Sequence, residues 1–328
     1  MRRHSLLIFS FINFFGLIFI WLLQNFIGER TGLTALLTYF PQHGFGVLSI
    51  ILLVCALYMR RIQILALNAA SFLLFAFGLL GFQLPSLALG NQKTVRVMTY
   101  NVRGVFSSSD KIASDIRAQN PDVVCLQETS HGFGEAVAAH FSGWHSESAG
   151  DVTTFSRYPL LSSEVWPFKG TRRIVETRWQ TPNGPLRVLN VHVSTSFRGD
   201  NHSRVKGRFD RYSRLINEAR PAAMVRLQQI PYLEDASNET ERKTEPTIMC
   251  GDFNTPPRGL FYKELKRNWH EAFAQSGFGI GATYPTHRPL LRIDYVWMKN
   301  GVQSKRTFVP DVNGSDHLPV VSDLVLQE

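Results

Sequence analysis

Six short apolar runs in this chain end in side chains that can do chemistry. "VRVMTYNVRG" (95–104) carries Asn101 and Arg103, and "PDVVCLQET" (121–129) ends in Glu128. "LRVLNVHVS" (186–194) carries Asn190 and His192, and "TIMCGDFN" (247–254) ends in Asp252 and Asn254. "LRIDYVWM" (291–298) holds Asp294, and "NGSDHLPVVSDL" (313–324) puts Asp316 and His317 just before a last apolar run. Alone, each has an ordinary explanation, such as a turn cap or a satisfied core histidine. Together they are six buried strand ends with polar tips, and unpaired burial would cost several kcal/mol each. They are therefore expected to converge on one pocket, where a metal and a phosphate satisfy them. Carboxylates and amides without thiolates are hard donors that suit Mg²⁺, with Mn²⁺ as the alternative. Two histidines beside them suit proton transfer at neutral pH.

The elements that must position these residues alternate between short apolar runs and helical stretches, which predicts an α/β domain. Strand alternation puts Val95, Val97, Thr99, Asn101 and Arg103 on one face, and Val188, Asn190 and His192 on another. The three cysteines (Cys55, Cys125, Cys250) lie in apolar runs and read as small core residues. No Cys/His spacing suits zinc. "GFGIG" (277–281) lacks the Lys-Ser/Thr of a phosphate-binding P-loop and reads as plain loop.

At these motifs the chain resembles the endonuclease/exonuclease/phosphatase superfamily. That group includes deoxyribonucleases, AP endonucleases, neutral sphingomyelinases and inositol polyphosphate 5-phosphatases. "YNVRG", "LQE", "NVHVS", "GDFN", "RIDY" and "SDHLPV" occur in the superfamily's order, and "FSRYPL" (155–160) resembles a further segment of it. The resemblance covers about residues 94–326 and implies a four-layer α/β sandwich, two packed β-sheets flanked by helices. It implies a Mg²⁺ site of Glu128 and Asn101, with Asp316 as a further ligand or as support for its neighbour. Asp252 and Asn254 would orient the attacking water and hold the phosphate. His317, oriented by Asp294, would contact the phosphate as acid/base, and His192 would assist the transition state or protonate the leaving group. Arg103 and Asn190 are assigned to the substrate. Arg103 stands where AP endonucleases carry an acidic residue, which argues against AP-site repair.

Residues 1–90 have different physics. "LLIFSFINFFGLIFIWLLQNF" (6–26) and "IQILALNAASFLLFAFGLLGFQL" (62–84) are long enough to cross a bilayer, and 43–59 is at the short end of that range. No small-residue cleavage site follows the first promptly, so it reads as an anchor rather than a signal peptide. Arg2, Arg3, Arg60 and Arg61 mark the cytoplasmic side. Three spans then place a catalytic domain of 91–328 outside the cytoplasm. Without the 43–59 span, that orientation inverts.

The expected activity is membrane-anchored, Mg²⁺-dependent phosphoester hydrolysis, first as a nuclease. The basic segment 198–226, with eight basic and three acidic residues, is a candidate phosphate footprint, with Phe197 just before it and Phe209 and Tyr212 within it. The alternatives are a phospholipid or phosphoinositide hydrolase and an inactive binding module of the same fold. "WPFKG" (166–170) is a candidate apolar rim for the lipid reading, and 234–246 reads as surface loop. No protein partner is expected.

Overall fold

The computed structural model describes residues 3–86, 90, 92–168, 172–195, 208–238 and 244–327. Residues 198–207 of the basic segment, Phe197, the side chains of Phe209 and Tyr212, residues 169–170 of "WPFKG" and residues 239–243 lie outside that description. The chain divides into two compact units. One holds residues 1–82, 197–224 and 256–263, and the other 83–196, 225–255 and 264–328.

The second unit is built on two mixed six-stranded sheets. The first has strand order β11-β12-β1-β2-β4-β3 and the second β5-β6-β7-β8-β10-β9. In the first, β1 (Val95–Asn101) runs parallel to β2 (Val123–Gln127) and antiparallel to β12 (Val320–Leu326). β4 (Val152–Ser156) joins β2 to β3 (His145–Ala149), and β11 (Val302–Phe308) closes the other edge. In the second, β7 (Gly184–His192) runs parallel to β8 (Thr247–Asp252), which pairs antiparallel with β10 (Asp294–Lys299). β5 (Leu160–Pro167), β6 (Arg173–Thr181) and the two-residue β9 (His270–Glu271) complete it.

Strand alternation builds the space between the sheets in layers. Val95, Val97, Val123 and Cys125 of the first sheet pack against Trp179, Leu186, Val188, Ile248 and Cys250 of the second. Above them lies a buried polar layer of Thr99, Gln127 and Asn190. Above that stand Asn101, His192 and Asp252, at the strand ends. The other face of the first sheet packs Met98, Tyr100, Val124 and Leu126 under Ile112 and Ile116 of a helix at Ser109–Gln119. On the second sheet, Arg187 forms a fully buried pair with Glu176 (2.7 Å) and donates to the Ser237 carbonyl of a helix at Ile230–Ser237.

Asn190 corrects the sequence reading. It was assigned to the substrate, but it is fully buried. Its Nδ2 donates to the Leu126 and Thr153 carbonyls (3.1 and 3.0 Å), and its Oδ1 accepts from Gln127 (2.9 Å). An amide two residues before the strand end falls below the pocket and ties the two sheets together.

Gly251 shows why the strand that delivers Asp252 has a glycine there. A Cβ would fall inside the van der Waals radius of the Val191 carbonyl oxygen on the neighbouring strand, where only backbone could give way. Gly251→Ala is expected to destabilise the fold by about 3 kcal/mol or more, beyond ordinary overpacking. Thermal melting of the variant checks this.

The first unit is helical and inverted in polarity. A helix at Arg3–Leu22 continues through wider and tighter turns to Arg30, and another at Ile62–Leu73 continues to Leu79. The stretches His4–Arg30 and Ile62–Leu79 are long and apolar enough to cross a membrane. The second stops short of the expected residue 84, because Gly81 takes a left-handed conformation (φ 76°) that ends the helix. The helix at His43–Tyr58, the expected middle span, is bent by 67° from one at Gly32–Tyr39, and the pair can count as a third crossing. Polar side chains bond inward, Asn13 to Ser49 (3.0 Å) and Asn68 to Ser10 (2.8 Å), while Phe9, Phe11, Phe15 and Phe19 face outward. Segment 256–263 belongs to this unit. Arg258 donates to the Thr38 carbonyl (2.7 Å), and the buried Glu29 accepts from the Leu260 amide (2.7 Å).

Candidate active site

Strand register sets the first row of the site. His192 pairs with Asp252 across β7 and β8, and Asp252 with Asp294 across β8 and β10, so three titratable side chains stand side by side. Asn101 reaches them from the other sheet. Its Nδ2 donates to Glu128 Oε1 and to Asp252 Oδ2, both at 3.0 Å. Asn254 Nδ2 also donates to Asp252 Oδ2 (3.1 Å), and its backbone amide donates to Asp252 Oδ1 (2.8 Å). Arg103, Glu128 and Asn254 are held at φ 45°, 58° and 49°. Left-handed backbone at non-glycine residues is costly, and such residues concentrate where a site fixes side-chain direction.

Two imidazoles flank Asp252. His192 Nε2 lies 3.7 Å and His317 Nε2 4.0 Å from its Oδ2. Each ring is oriented from behind by a carboxylate. His317 Nδ1 is 3.0 Å from Asp294 Oδ2, and His192 Nδ1 is 2.7 Å from Asp151 Oδ2. His192 Nε2 is buried with no hydrogen-bond partner, and so is Asp294 Oδ1.

Electrostatics follow from this crowding. Burial and the neighbouring Asp294 carboxylate push the Asp252 carboxyl above its ordinary range, and the two imidazoles draw it part of the way back. Burial works against the Asp151 carboxylate, but the hydrogen bond and charge of His192, with Arg172, hold it below the usual range. For His317, burial favours the neutral ring, yet Asp294, backed by Asp252 and Asp316, carries its pKa up to about 10. In the unfolded chain it titrates near 6.5. Its stabilising contribution to the metal-free fold is therefore complete below about pH 6.5 and lost as pH rises through about 10. Melting temperature measured against pH in EDTA should show this loss, and Asp294→Asn should flatten it.

The donor set fits a hard divalent cation. Asp252 and Glu128 share the amide donor Asn101, and burial with the Asp294 charge disfavours the Asp252 carboxylate, which a bound cation would offset. Asp252, Asp294 and His317 also place one ligand atom each within 4.8 Å of one another. The His317–Asp294 hydrogen bond accounts for part of that closeness. Asp316, expected as a further ligand or as support for its neighbour, is paired with Arg103 Nη1 at 3.1 Å.

Three residues of the site carried no sequence signal. Asp151 lies in the turn before β4 and looks like any turn aspartate. Arg172 donates to the His192 carbonyl (2.8 Å) and stands 3.7 Å from Asp151. Tyr284 lies against His317 with ring centroids 4.7 Å apart, and burial, then the Asp316 charge, raises its hydroxyl pKa.

Comparison with known proteins agrees with this architecture. Residues 98–317 match the model of the Endonuclease/Exonuclease/phosphatase family. The uncharacterised protein YbhP of Escherichia coli (strain K12) is 25% identical over 253 residues, covering 72% of this chain and 98% of that protein. Among solved structures, a family protein of Bacteroides thetaiotaomicron is similar with a TM-score of 0.55 at 15% identity, covering 73% of this chain and all (100%) of that one. D. rerio TDP2 complexed with single-strand DNA product is similar with a TM-score of 0.52 at 15% identity, covering 71% of this chain and 99% of that one. With the family model spanning well over half of its length, this chain belongs to the endonuclease/exonuclease/phosphatase family.

Proposed function

We propose that the chain is a membrane-anchored phosphodiesterase, with nucleic acid as its first substrate class. The observation that carries this is Asp252, a buried carboxylate with two carboxylate-backed imidazoles at 3.7 and 4.0 Å. Glu128 and Asn101, with Asp252, would hold Mg²⁺, with Mn²⁺ as the alternative. Bound there, the ion neutralises charge that builds on the phosphate oxygens. Asp252, positioned by Asn101 and Asn254, orients a water and accepts its proton as the new phosphorus–oxygen bond forms. His317, held charged by Asp294, donates to a phosphoryl oxygen. His192, held by Asp151, returns a proton to the oxygen that leaves as the old bond breaks. Arg103 and Asp316 border the same pocket.

The membrane reading rests on the inverted polarity of the first unit, with polar side chains bonded inward and phenylalanines outward. With 43–59 as a third span, the arginine pairs at 2–3 and 60–61 would put residues 91–328 outside the cytoplasm, and without it the orientation inverts. The similar TDP2 structure contains single-strand DNA product, which supports nucleic acid as the substrate class. The outward apolar helices favour a second reading, a phospholipid hydrolase, because a tether raises the local concentration of lipid substrate. The full chain in detergent should be offered single-stranded DNA, circular duplex DNA, RNA and mixed phospholipid micelles, each with Mg²⁺. The account expects cleavage of at least one nucleic acid. Release of phosphorylated headgroup alone would move the assignment to the lipid class.

A further inference from the structure

Phe106 is 75% exposed, more than any other large apolar side chain described in the second unit. It sits on a tight turn, Gly104–Phe106, that is pinned at both ends. The Gly104 amide donates to the Glu128 carbonyl (2.9 Å), and the Ser107 hydroxyl lies within hydrogen-bond distance of both the Val102 and Gly314 carbonyls (2.5 and 3.0 Å). The Arg103 guanidinium carbon lies 4.5 Å from the centre of the Phe106 ring, and Arg103 Nη1 reaches Asp316 at 3.1 Å. Ring, guanidinium and Asp316 therefore form a fixed series that ends beside His317. The residues that follow the ring, "SSSD" (107–110), are polar. An acyl chain needs a rim, whereas a planar base needs one flat, rigid surface next to its phosphate.

We propose that Phe106, backed by the Arg103 guanidinium, is a stacking subsite for a nucleobase adjoining the scissile phosphate, which directs the enzyme to single-stranded nucleic acid. This deepens the phosphodiesterase reading and rests on it. A base paired inside a duplex has no free face to offer, so the subsite selects unpaired strands. The guanidinium covers one part of the ring and adds a cation to the stack.

The test uses the full chain in detergent and two single strands, identical except that one lacks the base beside the cleaved position. The wild type is expected to show a higher kcat/KM with the base present, by roughly tenfold, as base–aromatic stacking supplies. Phe106→Ala should lose most of that preference through KM, and Phe106→Trp should keep it. Phe106 is exposed, so neither change threatens folding. A preference unchanged in Phe106→Ala overturns the subsite. So does reduced binding of Phe106→Ala to anionic phospholipid vesicles with the base preference intact, which would give the ring to a lipid surface. Hydrolysis of bis(p-nitrophenyl) phosphate but of neither strand would sink the subsite and leave the phosphodiesterase reading standing. No hydrolysis of any of the three would sink both.

Discussion

Asp252→Asn is expected to lower kcat on any phosphodiester by about a thousandfold or more, while the protein stays folded. The carboxylate accepts from Asn101 Nδ2, Asn254 Nδ2 and the Asn254 amide. An asparagine there offers one acceptor oxygen instead of two and turns an NH₂ toward donors. It can neither take a proton from water nor complete the hard-donor set. Its effect on stability is small. Burial and Asp294 already disfavour the charged form of Asp252. Without metal, neutralising it relieves that repulsion and offsets the mismatched donors, so melting in EDTA should stay roughly level. Activity would then fall without a matching fall in stability. Near-normal turnover, or collapse of the fold in EDTA, would contradict this reading.

His192→Ala should cost about 10²- to 10⁴-fold in kcat, the range a positioned general acid supplies. Asp151→Asn should cost less, because an amide still holds the ring but no longer supports its charge. Asp151 and His192 are 2.7 Å apart and act as one unit, so the double variant should be little worse than His192→Ala alone. The leaving group separates proton donation from mere structure. A p-nitrophenolate leaves without a proton, so His192→Ala should lose far less on bis(p-nitrophenyl) phosphate than on an alkyl diester. Equal losses on both would remove His192 from the acid role.

Much of this arrangement was legible before any coordinates. Apolar strands with polar ends announce an α/β domain with a shared pocket, the family resemblance implies the sandwich, and period-two alternation puts Asn101 on one strand face and His192 on another. The same periodicity misled at Asn190. Alternation gives the face of a strand but not the depth along it, and two residues of depth separate a pocket from a sealed core. Asp151, Arg172 and Tyr284 were invisible because they sit on turns and loops, where spacing carries no direction. The pairing of Asp316 with Arg103 involves a residue in left-handed backbone, Arg103, that no local pattern reveals. Helix ends in the first unit were blurred for a similar reason: hydrophobicity runs on past Leu79, but Gly81 breaks the backbone.

We propose metal-assisted phosphodiester hydrolysis at Asn101, Glu128 and Asp252. The most direct test measures cleavage of a phosphodiester by the purified full chain in Mg²⁺ and in EDTA, beside Glu128→Ala. The expected result is turnover that EDTA abolishes, that added Mg²⁺ restores, and that Glu128→Ala lacks in either condition. Turnover that persists in EDTA, or that survives intact in Glu128→Ala, would contradict it.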